Sequence, residues 1–410
     1  MPAASTESLT LVLVCFSRAK GALELKLVEL ASALQHRGNR VVVVSPHESA
    51  IASLCAQRGV PGVNISPSMP YLDLAAGWRL GRCLRAHGVD VVVAGRSKDI
   101  SICLLGRTLA GRPRLVYLQQ VQAGRRKDPF HNWVYGSLDR WVTLTEGMKR
   151  SVIAGTTVPA DRIAVIPFGV DLDRFNPTVH RGPEDRCRLG IPPERFVVAV
   201  IARLDPLKGQ AVLIRAFSEL LPRHPSLHLL IVGDGGGPEC RESLESLVAE
   251  LGIGERVQFL PFTGNVPEVL AAVDLLVLPS LREAFGNVIV EAMAMAKPVI
   301  ASRTGGVPEI IEEGRTGLMV TPSDAADLAR KLEMMVQDAG LRIRLAEAGR
   351  KLALERYDYR AQVGEFLSLL RDVVAVRPGA FVTARPESPR PSTSLSHRLS
   401  RIAGHALRNR

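Results

Sequence analysis

Aromatic residues are scarce in this sequence: tryptophan, tyrosine and phenylalanine together make up only 5 % of its 410 residues. Proteins that read RNA or single strands stack the bases on aromatic side chains. The sequence also carries no motif of a DNA- or RNA-binding domain. We therefore expect no nucleic-acid partner, and a core built from aliphatic side chains.

Paired cysteines are absent as well. No two of the six cysteines stand in a CxxC arrangement, which argues against zinc ribbons and thioredoxin-like redox centres. Scattered single cysteines predict free thiols in a reducing cytosol. The six are Cys15, Cys55, Cys83, Cys103, Cys187 and Cys240.

Long hydrophobic runs are missing too. The N-terminal MPAASTES has no basic residue, and LVLVCF (11–16) after it is only six apolar residues long. A signal-peptide core needs at least about seven apolar residues and a membrane span about 20. We expect a cytoplasmic protein, and peripheral contact with the inner face of the cell membrane stays open.

The net charge of +11 is concentrated at one end of the chain. Residues 377–410 contain seven arginines and one glutamate, hence +6. This segment, rich in proline and serine, reads as a flexible basic tail. Its end, SLSHRLSRIAGHALRNR, suits either a short amphipathic helix at a membrane surface or a solvated tail, and both interpretations stay open.

Apolar β-rich runs alternate with helical patterns along most of the chain, which predicts an α/β protein with parallel sheets covered on both faces. The alternation stops once and restarts, so we expect two doubly wound Rossmann-like domains facing across a cleft. The predicted units are an N-terminal acceptor-side domain (1–175), a linker (176–194), a C-terminal nucleotide-sugar-binding domain (195–356), a helix crossing back to the first domain (357–376) and the tail (377–410).

Two cations follow the first strand of the second domain, in IARLDPLKG (201–209). Ligands bind at the carboxyl ends of strands in such sheets. Arg203 can grip a phosphate with its bidentate fork, and Lys208 can bind one as a point charge. A solvated basic loop is the alternative.

Two glycine-rich turns follow other strands of this domain. In SRTGGVPEII (302–311), Gly305 and Gly306 allow the backbone to approach a ligand, and the amides from Val307 onward can hold a phosphate. In IVGDGGG (231–237), Gly233 and Asp234 form a turn expected near the nucleotide. Glycine turns without a phosphate are common, so this alternative also stays open.

The stretch REAFGNVIVEAM (282–293) holds two carboxylates. Glu283 is predicted in the loop before a helix that Asn287 caps, and Glu291 about one turn inside that helix. Both can accept bonds from sugar hydroxyls. Complementing the positive helix end is the alternative, but it does not explain Glu291 within an apolar run, where a charge should have a polar partner.

In order, these motifs and GVDLDRF (169–175) resemble the family-4-type glycosyltransferases of the GT-B fold, retaining enzymes that use nucleotide sugars. The match centres on the E-x7-E element and spans about residues 10–375. The resemblance implies Arg203, Lys208 and Glu283 as the catalytic group, with Arg203 and Lys208 on the diphosphate, Glu291 on the ribose and Glu283 on the donor sugar. The implied donor site comprises Gly21, Arg203, Lys208, Gly233, Asp234, Glu283, Phe285, Gly286, Asn287, Glu291, Gly305, Gly306 and Val307.

The first domain departs from the family's pattern on its acceptor side. Gly21 stands alone where many relatives have two glycines, with Lys20 beside it. Gln119 or Gln120 stands where many relatives have a histidine facing the transferred sugar. A basic stretch follows that is expected to meet an anionic acceptor or lipid headgroups, or else to be a solvated loop; it comprises Arg125, Arg126 and Lys127.

The resemblance implies transfer of a sugar from a nucleoside-diphosphate sugar to a glycan or glycolipid, in the synthesis of lipopolysaccharide or another cell-surface polysaccharide. We expect no cofactor and no metal, because Asp171 and Asp173 lie in the GVDLDRF element rather than in a metal-binding D-x-D motif. The alternatives are a nucleotide-sugar 2-epimerase of the same fold and a two-lobed sugar-binding protein without catalysis.

Overall fold

The computed structural model describes residues 8–19, 21–121, 127–180 and 182–376. Thirteen strands in this part of the chain form two parallel sheets. The strands are β1 Thr10–Val14, β2 Arg40–Ser45, β3 Gly62–Asn64, β4 Val91–Ala94, β5 Arg114–Leu118, β6 Arg140–Thr143, β7 Ile163–Val165, β8 Phe196–Ile201, β9 Leu227–Val232, β10 Val257–Leu260, β11 Leu275–Leu278, β12 Val299–Ser302 and β13 Leu318–Val320.

Helices cover both faces of each sheet. They are α1 Ala22–His36, α2 Ala50–Gln57, α3 Leu74–His87, α4 Ile100–Leu109, α5 Pro129–Gly136, α6 Glu146–Gly155, α7 Gly182–Arg188, α8 Gln210–Leu220, α9 Pro238–Glu250, α10 Val266–Ala272, α11 Asn287–Ala294, α12 Val307–Ile310, α13 Ala325–Gln337, α14 Ala339–Arg356 and α15 Tyr359–Ala375. No helix among the described residues is long and apolar enough to span a bilayer.

The strand orders show two doubly wound sheets, as predicted from the alternation. The first sheet runs β3-β2-β1-β4-β5-β6-β7 and the second β10-β9-β8-β11-β12-β13. In each, the order reverses beside the first strand of the unit, between β1 and β4 and between β8 and β11. Such switch points open a crevice at the carboxyl ends of the strands. Each sheet therefore has one edge, the carboxyl edge, at which a ligand is expected to bind.

The apolar runs form strands because their β-branched side chains pack on both faces. In β2, the four valines 41–44 are all buried. Val43 lies in the cluster on the α1 face, with Leu27 and Leu30. Val42 and Val44 lie in the cluster on the other face, with Leu80 and Leu84 of α3. Burial on both faces explains why the run is continuous rather than alternating.

Two segments tie the halves together. The segment 176–194, predicted as a linker, contains α7, whose Arg186 Nη2 lies 2.6 Å from Asp274 Oδ2 in the second domain. At the other end of the chain, α15 packs Phe366 and Leu370 into the first domain's core. The chain returns from the second domain to the first at Tyr357, whose carbonyl accepts a hydrogen bond from the Val170 amide at 2.7 Å.

Candidate active site

The loop after β8 carries Arg203 and Lys208 at the carboxyl edge of the second sheet. Arg203 Nη2 lies 2.5 Å from Asp205 Oδ2, and its side chain is 60 % exposed. Asp205 also accepts a bond from the Leu207 amide. That bond, and then Arg203, lower the pKa of the Asp205 carboxyl. The guanidinium is thus oriented by an ionised neighbour yet remains open to a ligand.

Lys208 and Glu283 meet directly. Lys208 Nζ donates to Glu283 Oε2 at 2.7 Å, and Ser280 Oγ donates to the same oxygen at 3.3 Å. Both side chains are largely buried. The structure therefore brings together two of the three predicted catalytic residues, 75 positions apart in sequence.

The Lys208 loop and the Glu283 loop are locked to each other by a close backbone approach. Gly209 has φ +71°, and a Cβ there would lie 2.0 Å from the Pro279 carbonyl oxygen. The Leu281 amide donates to the Leu207 carbonyl at 2.8 Å. A side chain at Gly209 would separate these loops, so the ion pair depends on this glycine.

The start of α11 differs from the prediction in the identity of its cap. Gly286, with φ +100°, is the N-cap, and Asn287 is the first helical residue, so the prediction that Asn287 caps the helix is wrong. The left-handed φ needed here suits glycine and not asparagine's extended capping conformation. Asn287 Oδ1 is buried and has no hydrogen-bond partner among the described residues, which leaves it able to accept a bond from a ligand.

Phe285 does not present its ring to the cleft. Its side chain is buried, with its ring centroid 6.2 Å from that of Phe168 and 6.0 Å from that of Tyr357, both edge-on. Its place in an apolar cluster leaves only the backbone of Phe285 for the predicted donor contact, which stays a prediction. The ring instead braces the loop that holds Glu283.

Glu291 finds its polar partner in the other domain. Its Oε1 lies 4.0 Å from Lys26 Nζ on α1, and Lys26 is shared with Glu29 at 3.1 Å. Burial raises the pKa of Glu291, while Lys26 acts in the opposite direction. Sequence reasoning predicted that this charge needs a partner but did not identify Lys26, because the pairing depends on how the domains meet.

The TGG turn is pressed between both domains. A Cβ on Gly306 would lie 2.5 Å from the Ala284 carbonyl oxygen and 2.7 Å from Thr145 Cγ2 of the first domain. Gly305 has φ +55°, and α12 begins at Val307, as predicted. The turn therefore places backbone next to the Glu283 loop, where the two domains touch.

Glu309 makes an interdomain contact that sequence reasoning did not predict. Its two carboxylate oxygens accept bonds from the Glu146 amide at 2.7 Å and the Gly147 amide at 2.6 Å. These amides form the first turn of α6, where helix N–H groups lack partners inside the helix. A carboxylate of one domain thus caps a helix of the other.

The IVGDGGG turn is shaped by its contact with the Arg203 loop. Gly233 has φ +149°, and a Cβ there would lie 2.0 Å from the Ala202 carbonyl oxygen. Asp234 Oδ2 accepts a bond from the Phe262 amide at 2.8 Å. Gly233 is thus required by close packing beside the site, and Asp234 fixes the loop after β10.

On the first domain, Gly21 is the N-cap of α1 in an extended conformation. Gln119 accepts a bond from Trp141 Nε1 and donates to the Val121 carbonyl, both at 2.8 Å. Gln120 is only 7 % exposed, yet neither its Nε2 nor its Oε1 has a partner among the described residues. Of the two predicted glutamines, Gln120 is the one with free hydrogen-bonding capacity.

Three predicted acceptor-side residues, Lys20, Arg125 and Arg126, lie outside the described residues. Lys127 is described and exposed. The GVDLDRF element forms a turn in which Asp171 Oδ1 accepts bonds from the Asp173 and Arg174 amides. Within the described ranges, no three histidine, cysteine or acidic side chains are grouped to hold a metal ion, and metal independence stays a prediction.

A cavity of about 170 Å³ opens at the carboxyl edge of the first sheet, and sequence reasoning missed it. Its walls carry three cations from two strand-end loops, Arg18 after β1 and Arg96 and Lys98 after β4. Asp99, also in the wall, accepts a bond from the Phe16 amide at 3.0 Å. Burial raises the pKa of Asp99 to about 6, against the effect of Arg96. The cavity therefore suits an anionic group.

Two family models match the chain side by side. One, described as glycosyl transferases group 1, matches residues 182–352, and the other, described as Glycosyltransferase Family 4, matches residues 24–174. The chain belongs to the family-4-type glycosyltransferases. For this glycosyltransferase, the first match covers the Arg203, Glu283 and Gly306 loops, and the second covers most of the first sheet.

Curated relatives carry a common name. The D-inositol 3-phosphate glycosyltransferase of Corynebacterium jeikeium is 39 % identical over 223 residues, 52 % of this chain and 53 % of the relative. The protein of the same name from Salinispora arenicola is 34 % identical over 275 residues, 62 % of this chain and 61 % of the relative. The glycosyltransferase chain spans about half the length of the curated relatives it matches.

Solved structures agree on the GT-B architecture. HepE of Anabaena, crystallised with UDP and glucose, is 25 % identical with a TM-score of 0.79, covering 88 % of this chain and 99 % of HepE. A glycosyltransferase from Rickettsia africae is 21 % identical with a TM-score of 0.81, covering 90 % and 100 %, and this second likeness shows the fold alone. The predicted GT-B fold is confirmed.

Proposed function

We propose that the protein transfers a sugar, with retention at the anomeric carbon, from a nucleoside-diphosphate sugar to an acceptor held on the first domain. The observation that carries the proposal is the Lys208–Glu283 pair at the carboxyl edge of the second sheet. Arg203 lies in the same loop as Lys208, after β8, and the Gly305-Gly306 turn follows β12. These two strands lie on either side of β11, whose following loop carries Glu283. Cations, backbone amides and a hydroxyl acceptor are the groups that a nucleotide sugar requires.

Arg203 and Lys208 have the charge to stabilise the leaving diphosphate. In the reaction, the bond from the anomeric carbon to the diphosphate oxygen breaks, and the acceptor oxygen bonds to that carbon from the same face. The departing phosphate takes the acceptor's proton. Negative charge therefore grows on the diphosphate, where preorganised cations are most effective.

Glu283 and Glu291 act as binders in this proposal. Each is already paired with a lysine, Glu283 with Lys208 and Glu291 with Lys26. A donor phosphate can draw Lys208 away, which frees a Glu283 oxygen to accept from the sugar's hydroxyls. Glu291 would receive the ribose hydroxyls, and Asn287 Oδ1 offers a further acceptor nearby.

The acceptor would lie in the cation-lined cavity of the first domain. Arg18, Arg96 and Lys98 outnumber the one carboxylate in its walls, Asp99, which favours a phosphate-bearing acceptor. The relatives' name, D-inositol 3-phosphate glycosyltransferase, supports a phosphorylated polyol. A phosphate-bearing glycolipid headgroup, as in lipopolysaccharide or another cell-surface polysaccharide, presents the same chemistry at the cytoplasmic face of a membrane.

No cofactor or metal takes part in the proposed reaction, because Arg203 and Lys208 supply the positive charge. We expect transfer to continue in EDTA. UDP is the first nucleotide to try, because HepE of Anabaena was crystallised with it.

The test is product formation from a panel of UDP, GDP and ADP sugars with inositol phosphate and with a lipid-linked glycan. We expect transfer by the wild type and a large loss in Glu283→Gln and Arg203→Ala. Wild-type-like transfer in both variants would overturn the site. An epimeric nucleotide sugar formed without acceptor would instead identify a 2-epimerase.

A further inference from the structure

An apolar surface stands exposed beside the acceptor cavity. Four large side chains on α3 and the loop before it are each at least half exposed, from 50 % for Leu72 to 73 % for Leu74. The other two are Met69 and Trp78. Clustered exposed hydrophobic residues of this size mark an interaction site more often than single ones do. We call Met69, Leu72, Leu74 and Trp78 the apolar ridge.

The exposure of the ridge is built into the fold. On its inner side, α3 lies so close to α4 that a Cβ on Gly77 would be 2.7 Å from Leu105 Cβ. This packing directs Trp78 outward. The preceding loop is held by Asp73, whose carboxylate accepts bonds from the Ser68 and Ala76 amides at 2.7 and 2.8 Å. The ridge is therefore fixed in place rather than loosely folded.

Positive charge accompanies the apolar residues. Arg79, Arg82 and Arg85 are exposed on α3, and the helix contains no aspartate or glutamate. The Arg82 guanidinium lies 4.9 Å from the centroid of the Trp78 ring. Exposed tryptophan and leucine accompanied by arginines are typical of segments that bind the interface of an anionic membrane, where buried apolar area and charge attraction both contribute.

We propose that α3 and the apolar ridge dock the protein on the surface of an anionic bilayer. The charge of α3 argues against two other occupants. The chain's own tail, at +6, is repelled by these arginines. A second copy would bring the same arginines together across a symmetric interface. A bilayer with anionic headgroups satisfies both the apolar and the basic side chains.

The position of the ridge links membrane docking to the proposed acceptor cavity. Met69 lies both in the ridge and in the wall of the cavity that holds Arg96 and Lys98. A membrane bound at the ridge therefore brings headgroups to the mouth of the cavity. This link rests on the proposed transfer to a phosphate-bearing acceptor, whereas docking itself can be measured without donor or acceptor.

The experiment uses tryptophan fluorescence of the full chain with vesicles of phosphatidylcholine, with and without phosphatidylglycerol. The chain has three tryptophans: Trp141 is fully buried, and Trp133, which is 53 % exposed, is changed to phenylalanine in every protein compared, so that Trp78 is the one exposed reporter. We expect brominated anionic vesicles to quench the fluorescence, and Trp78→Phe, which keeps an apolar ring, to lose most of that quenching. Co-sedimentation without quenching would show binding by another basic segment and would overturn the proposal, as would no binding at all.

Two variants and a control measure the contributions. Leu74→Ser with Trp78→Ser should weaken binding to anionic vesicles at least about tenfold, and Arg79→Gln with Arg82→Gln roughly fivefold per arginine. Met334→Ser with Ile343→Ser, which removes two exposed apolar residues elsewhere, should bind like the wild type. Equal binding by all variants would contradict the proposal.

A nucleotide-induced rise in melting temperature separates docking from the proposed function. It should be the same in Leu74→Ser with Trp78→Ser as in the wild type. Loss of vesicle binding with this rise intact assigns the ridge to docking alone. No rise in the wild type would count against the donor site without affecting the docking result.

Discussion

The two sheet edges that face the cleft are built in different ways. At the edge of the second sheet, Arg203, Lys208 and Glu283 come from contiguous motifs, and glycines bring their loops into direct backbone contact. At the edge of the first sheet, Arg18 and Arg96 also come from two separate loops, but the sequence analysis identified no motif that contains either of them. The proposed donor site thus rests on motifs and close backbone contacts, whereas the proposed acceptor cavity is assembled from side chains of separate strand-end loops.

The largest effect should come from breaking the ion pair at the second edge. We expect Lys208→Ala to lower kcat for sugar transfer about 100- to 1000-fold, because it removes charge stabilisation of the leaving diphosphate. Initial rates at saturating donor measure this. Lys351→Ala, at an exposed lysine of α14, is the control. A similar loss in both variants would indicate a general effect of charge.

The glycine contacts at the same edge should matter for stability. Gly233→Ala places a Cβ 2.0 Å from the Ala202 carbonyl oxygen, so we expect a loss of about 3 kcal/mol or more in the free energy of unfolding. Gly38→Ala has a positive φ as well but no atom within 4 Å, and should cost about 1 kcal/mol. Urea unfolding measures the free energy of unfolding of both variants. Equal losses would show that the positive φ alone, and not the close contact, sets the cost of the substitution.

The first edge should carry a pH dependence in Asp99. Burial raises its pKa to about 6, above the usual value near 4, so the folded state keeps a proton that the unfolded state loses. The contribution of Asp99 to the free energy of unfolding should therefore fall by about 3 kcal/mol as the pH rises from about 4 to 6. Asp99→Asn should lack this loss, and parallel curves for the two proteins would contradict it.

The smallest effect should come from Arg96 at the first edge, and it should distinguish acceptor binding there from donor binding at the second edge. We expect Arg96→Ala to raise the KM for a phosphorylated acceptor about tenfold, since one charge-assisted contact is lost. Slow hydrolysis of the donor in the absence of acceptor should be unchanged. A matching fall in donor hydrolysis would mean that Arg96 serves the donor instead.

The same contrast explains what could be predicted from the sequence. The order of the motifs predicted the fold and the loops that carry Lys208 and Glu283, because strand ends in a doubly wound sheet converge. Local geometry decided the one error at this loop: the left-handed φ of Gly286 makes Gly286, and not Asn287, the cap of α11.

Contacts between the domains could not be predicted. Lys26 reaches Glu291, and Glu309 caps α6, only because two separately folded sheets meet in one relative position. No local pattern encodes that position. The cavity around Arg96 and Lys98 lies within the first domain and was missed for a different reason: strand order, and not sequence order, makes β1 and β4 neighbours.

The central claim is that the edge of the second sheet binds a nucleoside diphosphate through Arg203 and Lys208. The most direct measurement is the melting temperature of the wild type, Arg203→Ala and Lys208→Ala with UDP, GDP and ADP. A ligand at 100 times its Kd stabilises the folded state by about 2.7 kcal/mol. The account predicts a rise with one nucleotide in the wild type that largely disappears in both variants. A rise of equal size in all three proteins, or none with any nucleotide, would contradict it.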